Sequence, residues 1–146
     1  TLARLAGNFT LDEDSDMLTF SELALIERIG QHVPPDGVVV VNPWHGGGLV
    51  YALTGRHVTQ YFMPTVRNAD VELINAELRN AATNPAVCAA LTREGAEYVL
   101  VLDDHILWSV RTPPLNEGLT DLESRPGFEL LDSEGDSALY RITACG

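Results

Sequence analysis

The stretch VPPDGVVVVNPWHGGG, residues 33–48, decides the fold of this chain. Pro34-Pro35 ends the element before it, because proline lacks an N–H donor and restricts the residue that precedes it. Asp36-Gly37 is typical of a turn. The four valines Val38–Val41 show no alternation with polar residues, and this predicts a strand that is buried on both faces.

Helices are predicted on both sides of this strand. Upstream, Thr19 and Glu22 form a capping box, and apolar residues then recur at helical spacing as far as Val33. Downstream, Leu49–Thr54 is predicted as a short helix, and Gly55 ends it because glycine is favoured just after a helix C-terminus.

The rest of the chain alternates between helical and strand patterns. A helix capped by Asn68 or Asp70 has an apolar face made of Val71, Ile74, Leu78 and Ala82. The other predicted elements are a strand at Arg56–Tyr61, a helix from Asn84-Pro85 to Gly95, a strand at Glu97–Leu102, a helical turn within Leu115–Ser124, and a hairpin of Phe128–Leu131 and Ala138–Ile142 around residues 132–136.

This order of elements predicts an α/β fold: a single layered domain with a small, mostly parallel sheet flanked by helices and a C-terminal antiparallel hairpin. We expect the domain to span residues 18–146. Residues 1–17 are predicted to form an acidic N-terminal arm or linker. Since the chain begins with Thr1, we expect it to be a piece of a longer protein.

The composition excludes several classes of function. The formal net charge is −12, all nine basic residues are Arg, and the sequence contains no Lys. An ordinary charged fraction and 45% apolar residues exclude a disordered chain. The negative charge argues against a nucleic-acid partner and against adsorption to anionic lipid. The lack of Lys is typical of a GC-rich genome, in which Arg replaces Lys.

The glycine loop His45-Gly46-Gly47-Gly48 is the most suggestive candidate for a ligand site. An oxyanion hole is disfavoured, because the chain has no Gly-x-Ser-x-Gly elbow. A cradle for a sugar phosphate stays open, although the P-loop and dinucleotide patterns are absent. The loop could also be a tight turn, with Trp44 as a partly buried anchor and His45 exposed. Alternatively, Trp44 could stack on carbohydrate or contact a partner.

A second candidate follows the strand that ends at Leu102. Asp103, Asp104 and His105 stand where ligands bind in open α/β sheets, but adjacent side chains diverge and rarely converge on one ion. The candidate ligand-binding residues are Trp44, His45, Gly46, Gly47, Gly48, Asp103, Asp104 and His105. The sequence predicts no catalytic residue, no metal site and no cofactor.

Cys88 and Cys145 are the only cysteines. An even pair is compatible with one disulfide, but two buried free thiols are compatible with the same sequence. The residues alone leave these alternatives open.

Several strings, taken in order, resemble a known family. They are VPPDGVVVVNPW (33–44), GGLVYALTG (47–55), NPAVCAAL (84–91) and GAEYVLV (95–101). The set resembles the C-terminal extracytoplasmic domain of an uncharacterised family of actinobacterial polytopic membrane proteins. That family is similar to GT-C glycosyltransferases of the arabinosyl- and mannosyltransferase type.

The resemblance implies a non-catalytic domain at the extracytoplasmic face of the cell membrane. Its partners would be the membrane-embedded part of its own parent chain and a cell-envelope glycan or polyprenyl-linked sugar. The catalytic carboxylate of such proteins lies outside this chain, so no catalytic residue is carried over. An oxidising exterior also implies a Cys88–Cys145 disulfide. The alternatives are a small soluble enzyme or sugar-phosphate-binding domain that uses residues 45–48, and a protein–protein assembly module.

Overall fold

The valine run forms an inner strand of a five-stranded sheet. In a computed structural model of the chain, the described residues are 18–61, 67–102 and 116–146. The strands are β1 (Val38–Val40), β2 (His57–Val58), β3 (Ala96–Val101), β4 (Phe128–Glu134) and β5 (Ser137–Ile142). The helices are α1 (Phe20–Arg28), α2 (Leu49–Thr54), α3 (Ala69–Glu77) and α4 (Pro85–Glu94). Short 3-10 turns lie at Ile29–Gln31, Pro43–His45, Leu78–Asn80, Glu117–Leu119 and Leu122–Ser124.

The sheet is open and mixed, with the strand order β2-β1-β3-β5-β4. β1 pairs in parallel with β2 and with β3, whereas β5 pairs antiparallel with β3 and β4. The predicted α/β fold with its C-terminal antiparallel hairpin is confirmed. The predicted arm at residues 1–17 lies outside the described residues.

Helices cover both faces of the sheet, which explains the uninterrupted valines. Val39 and Val41 pack on one face with α1 and α2, together with Ile26 and Val50. Val40 packs on the other face with α3 and α4. All three valines are fully buried, as predicted for a strand with two covered faces.

Local signals set most of the helix ends. The Thr19 hydroxyl accepts from the Glu22 N–H at 3.2 Å, and a Glu22 carboxylate oxygen accepts from the Thr19 N–H at 2.8 Å. Asn84 caps α4, whose first residue is Pro85, and Gly95 follows its last turn with φ at 67°. In each case the capping residue satisfies backbone groups that the helix leaves unbonded.

The prediction that Ala82 belongs to the buried face of α3 is wrong. Ala82 is exposed, and Ala81 is buried in its place. The α-helical part of α3 ends at Glu77 and a 3-10 turn continues it over Leu78–Asn80. A 3-10 turn has three residues per turn, so the buried position returns after three residues rather than four.

The hairpin is tighter than predicted. β4 runs on to Glu134 and β5 begins at Ser137, so only Gly135 and Asp136 connect them. Gly135 has φ at 56°, a value that suits the left-handed residue of a two-residue hairpin turn. Asp132, predicted as part of the loop, therefore lies within β4.

A polar cluster fastens β4 to α1. The Arg28 guanidinium donates to both Asp132 carboxylate oxygens, at 2.9 and 3.0 Å, and contacts Glu134 at 2.9 Å. Nε2 of His32 lies 3.2 Å from the same Asp132 carboxylate. The hydrogen bonds from Arg28 are the main cause that lowers the pKa of Asp132 from 3.8 to about 2.

A disulfide joins Cys88 in α4 to Cys145, close to the C-terminus. The two Cα atoms are 5.5 Å apart and the residues are 57 positions apart in sequence. The bridge holds the end of the chain against the α4 side of the sheet, beyond the last strand. The pairing implied by the family resemblance is therefore present in the structure.

No helix within the described ranges has both the length and the apolar character needed to cross a bilayer.

Loss of the disulfide should lower the free energy of unfolding. Since it closes a loop across 57 positions, the chain-entropy model gives a loss of about 4 kcal/mol for a Cys88→Ser/Cys145→Ser variant. Urea unfolding of the oxidised protein and of the variant measures this loss. Reductant should destabilise the original protein and leave the variant unchanged. Equal unfolding free energies, or no gain of two hydrogens in intact mass on reduction, would contradict the assignment.

Acid should weaken the link between α1 and β4. The folded-state pKa of Asp132 is lowered, so its stabilisation is complete above 3.8 and is lost as pH falls towards about 2. After allowance for partial solvent exposure, we expect Asp132→Asn to cost about 1 kcal/mol at neutral pH. The cost should fall as pH drops through this interval and disappear below the folded pKa.

Unfolding free energies across this pH range measure the Asp132 effect. Glu129→Gln, which removes an exposed carboxylate from the same strand, is the matched control. An Asp132→Asn cost that stays constant with pH would refute the ionic origin of the link.

Candidate functional site

The carboxyl ends of the three parallel strands meet at one edge of the sheet, here called the carboxyl edge. β1 leads into Asn42 and the glycine loop, and β2 leads into Thr59 and Tyr61. The N–H of Thr59 donates to the carbonyl of Val39 at 3.0 Å, so the two segments stay paired beyond the short β2 strand. Open α/β sheets bind ligands at such an edge.

Two described segments continue from the ends of β1 and β3. After β1 the chain enters α2, whose Val50 packs on the α1 face. Leu102 directly follows β3 and packs on the same face.

Asn42 organises the loop that follows β1. Its side-chain oxygen accepts from the N–H of Trp44 at 3.0 Å. Its backbone carbonyl accepts from the N–H groups of His45, at 3.2 Å, and Gly47, at 3.1 Å. These three N–H groups are therefore directed to Asn42 and are not available to an anion.

The first turn of α2 satisfies further N–H groups of the same segment. The N–H of Leu49 donates to the Gly46 carbonyl at 3.0 Å, and that of Val50 donates to the Gly47 carbonyl at 3.2 Å. α2 has only six residues, so its dipole is small. The local hydrogen bonds support the tight-turn interpretation of the glycine loop more than the phosphate-cradle interpretation.

Close packing explains two of the three glycines. A Cβ atom at Gly47 would lie 2.6 Å from Cβ of Val41 and 2.8 Å from the Asn42 carbonyl oxygen. A Cβ atom at Gly48 would collide with the backbone carbonyl of Tyr61. Gly46 has φ at 84°, which side-chain-bearing residues rarely adopt. The loop therefore requires glycine for steric reasons.

The two side chains of the loop are both half-buried. Trp44 fits its predicted role as a partly buried anchor, but His45 is less exposed than predicted. The 3-10 turn over Pro43–His45 draws both residues against the domain. The ligand-binding assignment of residues 44–48 stays a prediction.

Asp103, Asp104 and His105 lie outside the described residues. β3, which precedes them, ends at Val101 beside β1. Within residues 18–61, 67–102 and 116–146, no cluster of three or more His, Cys, Asp or Glu side chains could hold a metal ion.

An aromatic cluster beside the edge strand β2, made of Tyr51, His57 and Tyr61, was not predicted as a site. Nδ1 of His57 and the Tyr61 hydroxyl share a hydrogen bond of 2.7 Å. The Tyr51 ring lies 5.2 Å from the Tyr61 ring at an interplanar angle of 85°, and 5.5 Å from the His57 ring. Because Tyr61 also packs its backbone on Gly48, the cluster adjoins the glycine loop.

The sequence holds little signal for this cluster. Its members come from α2, from β2 and from the segment after β2, so the path of the chain after the turn at Gly55 decides whether the rings meet. His57 by itself is an isolated histidine. The useful signal would have been two tyrosines on either side of a short edge strand.

Comparison with solved structures identifies a protein with a similar fold. The C-terminal globular domain of an oligosaccharyltransferase from Archaeoglobus fulgidus superposes with a TM-score of 0.51 and 12% sequence identity. The match covers 86% of this chain and 98% of that domain. At this identity the likeness shows a shared fold. No curated protein matches the chain.

A family model also matches nearly the whole chain. It describes a family of unknown function, DUF6541, and covers residues 1–144. This protein therefore belongs to the DUF6541 family.

Proposed function

We propose that this chain is a non-catalytic extracytoplasmic domain of a membrane-anchored, glycosyltransferase-like protein. Its role is to assist the binding of an acceptor glycan during cell-envelope synthesis. Its partners are the membrane-embedded part of its own parent protein and a glycan or polyprenyl-linked sugar. The Lys-free composition supports an actinobacterial source.

The fold likeness to the oligosaccharyltransferase domain carries this proposal. The match spans 98% of a domain that stands at the C-terminus of an oligosaccharyltransferase, and this supports a similar place for the present chain in a larger protein. The ordered sequence strings point independently to GT-C glycosyltransferases. Two unrelated kinds of comparison thus favour the same class of protein.

The disulfide supports the extracytoplasmic location. Disulfides persist in oxidising compartments, whereas thiols in the cytoplasm are kept reduced. Cys88 and Cys145 lie far apart in sequence and meet only in the folded domain, so their bridge is a structural one.

The carboxyl edge is the part of the domain that we assign to this role. It brings Gly48 of the glycine loop next to the Tyr61 backbone, and we propose that it faces the membrane-embedded part of the parent. A soluble sugar-phosphate enzyme is less well supported, because the N–H groups of Trp44, His45 and Gly47 are bonded to Asn42.

Thiol labelling in intact cells tests the location. Leu53 is 52% exposed on α2, so Leu53→Cys in the full-length parent places a reactive thiol on the surface. We expect a membrane-impermeant maleimide to label intact cells as strongly as lysed cells, because the domain lies outside the membrane.

The unsubstituted parent gives the background, since Cys88 and Cys145 are bonded to each other. Labelling of Leu53→Cys that requires lysis would contradict the proposal. A parent gene that encodes no membrane-spanning helices would do so as well.

A further inference from the structure

The aromatic cluster presents two tyrosine rings at the surface of the domain. Tyr51 is 46% exposed and Tyr61 is 42% exposed, and their rings contact each other at the surface. Isolated exposed aromatic residues are common, but adjacent exposed rings that contact and restrain one another indicate a binding surface.

We propose that Tyr51, His57 and Tyr61 form a stacking platform for a neutral sugar ring of a glycan. This inference rests on the proposed function and names the class of ligand and the residues that contact it. The C–H face of a pyranose is apolar and packs on an aromatic ring, while the sugar hydroxyls hydrogen-bond at its rim. The tyrosine hydroxyls and the His57 ring supply polar atoms at that rim.

The platform is held in place before any ligand binds. The hydrogen bond between His57 and Tyr61 and the perpendicular contact of Tyr51 with Tyr61 restrict the rings. Gly48 packs against the backbone of Tyr61 and fixes it relative to the loop after β1. Tyrosine also has few rotatable bonds, so it loses little conformational entropy on binding.

The surrounding charge favours a neutral ligand over a phosphorylated one. Arg56 is the cation next to the platform in sequence, but its guanidinium donates to the carbonyls of Val33, at 3.0 Å, and Thr54, at 3.3 Å. The chain as a whole carries a formal charge of −12, which repels anions at long range.

The platform is also small for a protein partner. A stable protein–protein interface buries on the order of 800 Å² on each side. The cluster consists of two tyrosines and one histidine, which match one or two sugar rings better than the face of a second chain.

An NMR titration of the 146-residue chain tests the inference. The probes are the neutral trisaccharides mannotriose, cellotriose and galactotriose, with glucose 1-phosphate as the charged comparator. We expect at least one trisaccharide to bind with millimolar affinity and to shift the resonances of Tyr51, His57 and Tyr61. Glucose 1-phosphate should bind more weakly.

Substitutions then assign the binding to the rings. Tyr51→Ala should weaken binding about tenfold, because the stacking face is lost, whereas Tyr51→Phe should keep it within about twofold. Tyr51 is exposed, so neither change should unfold the domain, and the NMR spectrum checks this. Phe20→Ala removes an aromatic ring that is 53% exposed on α1 and should leave binding unchanged.

Several results would overturn the inference. The first two are that no trisaccharide shifts the resonances of the cluster and that Tyr51→Ala binds as tightly as the original chain. The others are that Phe20→Ala weakens binding as much as Tyr51→Ala does, and that glucose 1-phosphate binds more tightly than the neutral sugars. Self-association of the chain that Tyr51→Ala abolishes would also overturn it, because the rings would then form a protein interface. Failure of sugar binding alongside surface labelling of Leu53→Cys would refute the platform and leave the proposed function standing.

Discussion

The burial of β1 on both faces is the constraint on which the rest of the structure depends. Val39 and Val41 face α1 and α2, while Val40 faces α3 and α4. A strand with no polar face must have a neighbour on each edge and a helical layer on each side. β2 and β3 are these neighbours, and both pair in parallel with β1. The parallel pairing places the carboxyl ends of three strands together at the carboxyl edge.

The candidate site follows from that arrangement. β1 ends where the chain must turn sharply into α2. Gly47 is needed in that turn because Val41 and Asn42 leave no room for a Cβ atom. The same turn brings Gly48 against Tyr61. The close packing of the glycine loop thus positions the Tyr61 backbone, although the Tyr61 ring lies outside the core.

The sequence predicts the features that depend on local chemistry. The capping box at Thr19 and the Asn84-Pro85 start of α4 occur as predicted, because a few adjacent residues determine them. Ala81 is buried in place of the predicted Ala82 because the α-helix changes to a 3-10 turn, and apolar periodicity does not reveal that change. The Tyr51–His57–Tyr61 contacts depend on the path of the chain from α2 through β2, which apolar periodicity does not reveal.

A cryo-EM structure of the full-length parent in a lipid nanodisc tests the central claim most directly. The claim is that this DUF6541 domain works at the membrane surface through its carboxyl edge. We predict membrane-spanning helices elsewhere in the parent, with residues 44–48 and Tyr61 facing them across a solvent-filled cleft. A parent in which this edge points away from the membrane-embedded part would contradict the account.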